Sequence, residues 1–574
     1  MNANKRITDP GIEQTEFDFI VVGGGSAGCV MANRLSADAS RRVLVIESGP
    51  DLGEVEPEII SDPGLRTTFK PEFIWSNFLG TDRGPQDTDR LVPVVLARVL
   101  GGGSAINGMH AQRGFPRDYD EWEEFGITDW RWDRVLPYFI KVETDKDFQG
   151  PQHGSTGPIP ISRMQSDRWS GLSRAVRDEL VSRGLEAQTD LNIQFSDGVG
   201  PVPLNISPAT RVSAAQGYLG ASIRARPNLA IVTDTDVDTI VFDGARAVGV
   251  SVRTPDGLKR IAGREVVVTC GAINTPALLQ KSGIGAAETL RALGAPLVAD
   301  RRGVGRNLSN HSMVSLNAHV KSKGRPANTL APPCMMIARY SSNEPDCPRT
   351  DMLLNVWERA LSPHPHDPLG RQIADFMFIL NKPFSRGSVL ANMSPNGRPH
   401  VQTNMWGDDR DLTRMVGAFR HGISLMNSAR VSPLLNTKFL MKFSPLLMTY
   451  LSDTPRGRLL SKVGGVAFAS SDFLAEQVLK QMATALSTIA TDDDGLRDLV
   501  RSIAMMGGHW VGSCRIGRRD DLDAVVDERG RVIGVEGLRI ADASIFPTVM
   551  SAGTNLPVLM AAEKVADHIV NKDN

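Results

Sequence analysis

Three glycines at fixed spacing near the start of the chain could bind a phosphate. Gly23, Gly25 and Gly28 form a GxGxxG pattern within the run GGGSAG. The β-rich segment Phe17–Val22 precedes this run, and an apolar segment with helical spacing, Cys29–Ser36, follows it. Such a turn brings backbone N–H groups and the N-terminus of a helix close to an anion. The pattern therefore predicts a strand, turn and helix that bind the pyrophosphate of a dinucleotide.

An acidic residue follows at the distance expected for contact with a ribose. Glu47 comes directly after a second buried β-type run, Val43–Ile46, and 19 residues after Gly28. In dinucleotide-binding folds, a carboxylate at about this position accepts hydrogen bonds from the ribose hydroxyls. An acid here favours an unphosphorylated ribose, and so FAD or NAD rather than NADP. These residues alone do not separate FAD from NAD.

Two further glycine-rich stretches could contact a phosphate or a flat polar ring. Ala97–Gly114 reads ARVLGGGSAINGMHAQRG, and the bulky residues on both sides argue against a flexible linker. Near the other end of the chain, Met506–Gly517 reads MGGHWVGSCRIG and places His509 among glycines. An imidazole titrates near neutral pH and can act as a general base. The first stretch predicts a loop that wraps a phosphate or a flat ring, and the second makes His509 a candidate site residue.

The other histidines and the cysteines form no metal or disulfide pattern. The five cysteines are scattered, odd in number and contain no CxxC pair. This usage is typical of a reducing cytoplasm. His364 and His366 lie in a proline-rich run and are interpreted as ordinary loop residues. We therefore expect no metal site.

Composition and charge exclude several classes of protein. The 574 residues carry a formal net charge of −1, so no overall field attracts nucleic acid or an anionic membrane. The first residues lack the apolar run of a secretory signal, and no apolar stretch of about 18 residues could span a bilayer. The longest apolar patch, Phe439–Leu451, is interpreted as core or pocket wall, with a lid, a dimer face or a membrane-surface contact as alternatives. We expect a cytoplasmic protein, and its oligomeric state stays open.

The order of the predicted elements indicates two intertwined domains. Short buried strands and helices recur in residues 17–150, 229–312 and 515–571. Residues 151–228 and 313–514 are richer in proline-rich loops and alternating strands. The expected fold class is α/β, or α+β overall. One domain is Rossmann-like and binds the nucleotide, and the other has an antiparallel sheet flanked by helices.

Four separated motifs together resemble the glucose–methanol–choline (GMC) oxidoreductase family. They are GxGxxG with Glu47, ARxxGGGSxINxxxA from Ala97 to Ala111, GAxxTPxLLxxSGIG from Gly271 to Gly285, and the C-terminal set HxxGSCRxG, GLRxADAS and TNxPxxxxAE. They follow the family's order over residues 17–571. The resemblance implies that the discontinuous nucleotide domain binds FAD and that the other domain binds the substrate.

The resemblance also implies roles for individual residues. Those expected to contact FAD are Gly23, Gly25, Ser26, Ala27, Glu47, Arg98, Gly103, Ser104, Asn107, Gly108, Met109, Ala111, Val237, Asp542, Ala543, Asn555 and Leu556. His509 and Asn555 correspond to the catalytic pair, with His509 as the base and Asn555 as a donor to the developing alkoxide. Some relatives attach FAD through a histidine near the GGGS loop. Here the matching position is Asn107 or a neighbour, with His110 close by, and non-covalent FAD is predicted.

The implied reaction moves a hydride from a primary alcohol to the flavin while His509 takes the hydroxyl proton. The segments Arg117–Trp122, Val135–Lys141 and His153–Ile161 are similar to those of bacterial furfuryl and benzyl alcohol oxidases. Gly508 stands where such relatives can have a bulky aromatic residue, which favours a bulky or branched alcohol. O2 is the favoured acceptor. The alternatives are a dehydrogenase that uses a quinone or another acceptor, a lyase or photodecarboxylase of the same family, and a protein that only binds FAD.

Overall fold

The computed structural model describes residues 12, 15–52, 70–83, 88–207, 210–327, 332–359, 367–394, 397–441, 445–451, 454–489 and 492–571. Over these residues the chain forms two large sheets, three small sheets and the helices that pack on them. His364 and His366 lie outside the described residues. The arrangement follows the predicted α/β class, with a largely parallel sheet and a largely antiparallel sheet side by side in one chain.

The first large sheet has seven strands, and its parallel part is built from largely buried segments rich in valine and isoleucine. Such runs suit parallel strands, which are covered on both faces. In spatial order, its parallel strands are Leu229–Val232, Val43–Ile46, Phe17–Val22, Gly257–Val268 and Leu538–Ile540. Two antiparallel strands, Arg246–Thr254 and Val237–Asp243, extend it through Gly257–Val268. The predicted strands Phe17–Val22 and Val43–Ile46 have the bounds read from the sequence.

Two helices from opposite ends of the chain pack together on this sheet. They are Ser26–Leu35 and Asn555–Val570, and the guanidinium of Arg34 binds the buried carboxylate of Glu563 at 2.6 Å. The closing helix begins at Asn555, two residues before Pro557. Proline is tolerated at this position, because residues in the first turn of a helix do not need an N–H group for an intrahelical hydrogen bond. This packing brings the C-terminal motifs onto the N-terminal glycine turn.

The second large sheet has nine strands and is called the cavity sheet, because residues on one of its faces line the cavity described below. In spatial order its strands are Ala483–Ala485, Leu435–Met441, Ser312–Val320, Ile373–Leu380, Met352–Glu358, Cys334–Tyr340, Gly198–Pro201 and Glu186–Ala187, and Met505–Met506 pairs with Ser312–Val320. The pairs are antiparallel except for the last two strands of the row. The helices Gly171–Ser182, Asp409–Met426 and Asp493–Ile503 cover one face with a continuous apolar core. The opposite face is therefore available to line a cavity.

The remaining elements connect these two sheets. A four-stranded sheet, made of Leu79–Arg83, Asp89–Pro93, Ser388–Leu390 and His400–Gln402, combines segments assigned to both predicted domains. Two-stranded sheets pair Glu143–Asp145 with Ile159–Ile161, and Ile284–Gly285 with Ala299–Asp300. The other helices are Gly103–Ile106, Pro116–Asp120, Trp132–Val142, Ala214–Tyr218, Ala221–Arg224, Gly271–Lys281, Ala287–Leu293, Pro445–Leu451, Pro455–Ser470 and Asp472–Met482. Among the described helices, none has the length and apolar character needed to cross a bilayer.

Candidate active site

The glycine turn joins the strand Phe17–Val22 to the helix Ser26–Leu35, as predicted. Gly23 has a φ of 98°, a conformation that glycine adopts without a steric penalty. At Gly28, an added Cβ would lie 2.0 Å from the carbonyl oxygen of Gly23. Only glycine lets the helix begin this close to the strand. The unpaired N–H groups at the start of the helix consequently lie at the cavity, where they can bind an anion.

Glu47 lies where the strand Val43–Ile46 ends and forms the edge of the same cavity. Its carboxylate accepts hydrogen bonds from the N–H groups of Gly24 at 2.7 Å and Gly49 at 2.9 Å. Burial raises the pKa of this carboxyl to about 7. Each carboxylate oxygen has a second lone pair, so Glu47 can still accept from a ribose hydroxyl.

The GGGS loop packs directly on the first glycine turn. Gly101 and Gly102 have φ values of 95° and 54°, and a Cβ at Gly102 would lie 2.7 Å from the Cα of Gly25. The hydroxyl of Ser104 donates to the carbonyl of Gly101 at 2.5 Å and accepts from the N–H of Ala214 at 2.8 Å. The two loops therefore form one cradle whose exposed backbone faces the cavity.

Asp542 ties the third motif to the fourth. Its Oδ2 atom accepts from the N–H of Gly271 at 2.9 Å and from the hydroxyl of Thr275 at 2.6 Å, while Oδ1 accepts from the N–H of Ser544 at 2.9 Å. Burial raises the pKa of this carboxyl. The GAxxTP and ADAS segments are consequently held together at the cavity wall.

His509 lines the cavity and forms a hydrogen-bonded chain with a second histidine. The Nδ1 atoms of His509 and His311 are 2.9 Å apart, and Nε2 of His311 is 3.0 Å from the carbonyl oxygen of Met550. A carbonyl oxygen only accepts, so Nε2 of His311 carries a proton and its Nδ1 is an acceptor. Nδ1–H of His509 must then be the donor. This chain leaves the lone pair of His509 on Nε2, where no described residue binds it.

The backbone around His509 fixes the ring against the end of the cavity sheet. The N–H of His509 donates to Oδ1 of Asn310 at 2.8 Å, and the preceding strand Met505–Met506 pairs with Ser312–Val320. Burial lowers the pKa of His509 to about 4, so the ring is neutral at neutral pH. A neutral imidazole with a free Nε2 lone pair is a competent proton acceptor.

The side chain of Asn555 is directed to Ser26. Its Oδ1 atom accepts from the hydroxyl of Ser26 at 2.8 Å, which leaves the amide nitrogen for a ligand in the cavity. The position beside the base is Gly553, where an added Cβ would lie 3.6 Å from Nε2 of His509. The predicted pairing of His509 with Asn555 therefore stays a prediction. Gly553 borders the space next to Nε2 of His509.

One cavity of about 1260 Å³ is lined by residues of the glycine turn and the GGGS loop and by Glu47, Asp542, Asn555 and His509. Typical sites for small ligands measure about 300–1,000 Å³, so this space is large enough for a dinucleotide and a substrate. The predicted residues that line it are Gly23, Gly25, Ser26, Ala27, Glu47, Arg98, Gly103, Asn107, Gly108, Val237, Asp542, Ala543, Asn555 and His509. The predicted pocket wall is represented on the lining by Leu440, Met441 and Leu447, and residues 442–444 lie outside the described ranges.

Four predicted FAD contacts lie behind the lining rather than on it. The side chains of Ser104, Met109, Ala111 and Leu556 are buried in the surrounding core. Their assignment as FAD contacts stays a prediction. His311 is a site residue that the motifs did not reveal. The sequence signal for His311 was the alternation of polar and apolar residues along SNHSMVSLNAHV. In a strand, this alternation places His311, Ser315 and Asn317 on the same face.

A second buried group of ionisable side chains lies away from the cavity lining. His153 contacts the carboxylates of Glu143, Asp145 and Asp190 at 3.0 to 3.3 Å. Arg113 binds Glu143 at 2.5 Å, and Arg163 binds Asp145 and Asp190 at 2.9 and 3.0 Å. Hydrogen bonds to these carboxylates raise the pKa of His153 to about 10. Arg163 also contacts Asp147 at 3.5 Å, so three cations face four carboxylates, and a metal ion would have to displace these cations.

Comparison with known proteins gives the family. The sequence profile of GMC oxidoreductases matches residues 17–313 with its N-terminal part and residues 383–562 with its C-terminal part. A 5-(hydroxymethyl)furfural oxidase from a Methylovorus species is 39% identical over 97% of this chain and 99% of that protein. An oxygen-dependent choline dehydrogenase from Brucella anthropi is 32% identical over 97% of this chain and 96% of that protein. The chain belongs to the GMC oxidoreductase family.

Solved structures agree with this assignment. Pyridoxine 4-oxidase from Mesorbium loti covers 97% of this chain and 99% of its own, with a TM-score of 0.78 and 25% identity. A fungal aryl-alcohol oxidase, 21% identical over 97% of this chain and 99% of its own, has a TM-score of 0.73 and shows the same fold. The predictions of the family, the fold class and an FAD-dependent oxidoreductase are thereby confirmed.

Proposed function

We propose that the protein oxidises a primary alcohol, aromatic or otherwise bulky, to the aldehyde. FAD is bound non-covalently, and O2 is the final acceptor and yields hydrogen peroxide. The observation that carries this proposal is the Nε2 atom of His509, which is unprotonated, borders the cavity and is bound by no described residue. A base placed in this way suits removal of the hydroxyl proton of an alcohol.

The residues of the cradle suit FAD. The helix N-terminus at Ser26 and the close approach of Gly102 to Gly25 provide backbone donors for a pyrophosphate. Glu47 would accept from the adenosine ribose. The amide nitrogen of Asn555 is left for the flavin or the substrate, because Ser26 already holds its oxygen.

When FAD is bound, it supplies the hydride acceptor. The carbinol carbon loses a hydride and the hydroxyl oxygen loses a proton, so the alcohol gives up two electrons and becomes an aldehyde. Nε2 of His509 accepts the proton, while Nδ1–H remains bonded to His311. O2 then takes up two electrons and two protons, which gives hydrogen peroxide and restores the enzyme.

The space beside the base supports a bulky alcohol. Gly508 lines the cavity, and an added Cβ there would meet no atom within 4 Å. Gly553 likewise leaves room next to Nε2 of His509. The 5-(hydroxymethyl)furfural oxidase and the aryl-alcohol oxidase among the similar proteins are named for ring-bearing alcohols and as oxidases, which supports both the substrate class and the acceptor.

The test is anaerobic reduction of the purified yellow protein. Benzyl alcohol should bleach the flavin, and admission of air should restore the colour quickly with release of peroxide. Slow recolouring would replace the oxidase with a dehydrogenase, and no bleaching by any alcohol would reject alcohol oxidation. His509→Ala should keep FAD but bleach at least about 100-fold more slowly, while the surface variant His400→Ala should behave as the unmodified protein.

Acid precipitation should release the yellow colour; colour retained in the pellet would contradict non-covalent binding.

A further inference from the structure

The floor of the cavity changes from apolar to polar with distance from His509. Three neighbouring strands of the cavity sheet form it: Ser312–Val320, Ile373–Leu380 and Met352–Glu358. Their paired residues make rows across the floor. The row nearest His311 is Met313, Ile379 and Leu353; the next is Ser315, Met377 and Asn355; the third is Asn317, Asp375 and Trp357. An alcohol bound at His509 thus lies first over apolar side chains and then over polar ones.

Asp375 is a buried carboxylic acid without a cation. Its residue is 7% exposed, and Oδ2 accepts from the hydroxyl of Ser315 at 3.0 Å. The other oxygen, Oδ1, has no hydrogen-bond partner, and no basic side chain among the described residues pairs with this carboxyl. Burial raises its pKa to about 7. Buried carboxylates are normally paired or fully hydrogen-bonded, so this acid lacks a partner that a ligand could supply.

Two other polar side-chain atoms nearby also lack a hydrogen-bond partner. Oδ1 of Asn355 and Nε1 of Trp357 are buried without a hydrogen-bond partner, and both residues line the cavity. Trp357 is directly opposite Asp375 across the two strands, and Asn355 is diagonal to it. Three unsatisfied polar groups on one part of the floor indicate a subsite that is completed by a bound molecule.

The subsite is separated from the base by a defined length. Ser315, which holds the carboxyl of Asp375, is four residues after His311, and strand residues rise about 3.4 Å each. His311 and Ser315 are therefore roughly 14 Å apart along the strand, and Asn317, the register partner of Asp375, lies two residues further on. Side chains reach into the cavity from both positions, so a substrate of one or two rings would span the gap.

We propose that Asp375 is a specificity-determining residue that accepts a hydrogen bond from an O–H or N–H group at the far end of the alcohol. This inference rests on the proposed function and names its substrate class: an alcohol with an apolar middle and a second hydrogen-bond donor, either a hydroxyl or a protonated amine. Trp357 and Asn355 would complete the contacts of that donor group.

Matched substrates test the proposal. The probes are para-benzenedimethanol and biphenyl-para,para′-dimethanol, the monomethyl ether of each, and the analogue of each in which one hydroxyl is replaced by an amine. For at least one length, kcat/KM of flavin reduction should be about tenfold to a hundredfold higher for a donor-bearing probe than for its ether. Equal values at both lengths would overturn the proposal, because water would then satisfy Asp375 as well as a substrate does.

Two variants separate the kinds of donor. Asp375→Leu removes the acceptor and should abolish the preference for both the hydroxyl and the amine. Asp375→Asn keeps an acceptor oxygen but removes the charge, so it should retain a preference for the hydroxyl and lose one for the protonated amine. A donor preference that survives Asp375→Leu would contradict the assignment to this residue. Each preference is a ratio within one variant, so a reduced yield of folded protein does not alter it.

The control is Glu358→Gln. Glu358 is another buried carboxyl of the same sheet with serine partners, Ser170 and Ser173, and it does not belong to the cavity lining. Its substitution should leave the donor preference unchanged. The full probe set reports on the proposed function itself. If none of the probes, donor-bearing or ether, bleaches the flavin, alcohol oxidation fails; if the ethers bleach it as fast as the donor-bearing probes, only the subsite fails.

Discussion

The contact between two imidazoles decides what His509 can do. Nδ1 of each ring faces the other at 2.9 Å, and the carbonyl of Met550 fixes the direction of the hydrogen bonds. His110 also lines the cavity, and burial lowers its pKa to about 3. Burial lowers the pKa of His311 as well, to well below the usual value. Burial therefore favours the neutral form of three histidines on the cavity lining, and the contact with His311 directs the Nε2 lone pair of His509 away from that partner.

The low pKa of His509 predicts the pH dependence of the reaction. The ring must be neutral to accept a proton, and burial lowers its pKa to about 4. Protonation of His509 should therefore not affect the rate of anaerobic flavin reduction between pH 8 and about pH 5. Below the pKa of His509, the rate should fall about tenfold per pH unit. The measurement uses a donor-free alcohol so that Asp375 does not contribute. An inflection near the ordinary histidine value of about 6.5 would show that His509 is not shielded in this way.

His311 is a positioning residue, and its removal should affect the rate more than binding. His311→Phe keeps a ring of similar size but removes the acceptor for Nδ1–H of His509, so the proton can move to Nε2 and block the base. We expect kcat to fall on the order of tenfold to a hundredfold, as when the partner that orients a functional histidine is lost, with little change in KM. His311→Gln, which restores polar groups, should recover part of the loss. Equal rates for His311→Phe and the unmodified protein would remove His311 from the mechanism.

Among the elements, the closest approach is that of the first helix to the first strand. A methyl group at Gly28 would collide with the carbonyl of Gly23, whereas one at Gly220 would meet nothing within 4 Å. Gly28→Ala should therefore push the helix Ser26–Leu35 away from the strand and weaken FAD binding, at a cost of about 1–3 kcal/mol in stability. Gly220→Ala, also at the start of a helix, is the matched control and should bind FAD normally. Titration of the apoprotein with FAD measures both; equal affinities would contradict the close-approach argument.

At the scale of the whole molecule, the network around His153 joins segments that are distant in sequence. Arg113 follows the GGGS loop and donates its backbone N–H to Oδ1 of Asn192, while Asp190 lies between the cavity-sheet strands Glu186–Ala187 and Gly198–Pro201. The network therefore links the segment after the GGGS loop to a segment between two strands of the cavity sheet. The network consists of charged side chains, so its contribution to the free energy of unfolding depends on pH.

Replacement of His153 should destabilise the protein most at low pH. The pKa of His153 is raised to about 10 in the folded chain, against about 6.5 when unfolded. A raised pKa contributes stability that is fully present below the unfolded value and is lost as pH rises through the folded value. The melting temperature of His153→Gln should be clearly below that of the unmodified protein at pH 6, and the gap should narrow by about pH 10. His400→Gln is the surface control. If the difference in melting temperature between His153→Gln and the unmodified protein grew with pH, the raised pKa of His153 would be contradicted.

Local patterns determined much of this protein from its sequence. Glycine spacing, buried β-runs and the acid at Glu47 predicted the strand, turn and helix, because backbone conformation and short-range packing depend on neighbouring residues. Family motifs added FAD and singled out His509. The domain boundaries stay a prediction, since one small sheet combines strands from both predicted domains.

Only the tertiary structure brought together residues that no motif connects. His311 meets His509 across 198 residues of sequence, and Ser26 holds Asn555 across 529. The polar floor around Asp375 exists because three strands pair in one register, and a shift of one residue would turn its side chains away from the cavity. Such contacts depend on sheet register and on the packing of whole elements. The sequence thus predicted the cofactor and the base, and the fold decided the direction of the Nε2 lone pair of His509 and the groups on the polar part of the cavity floor.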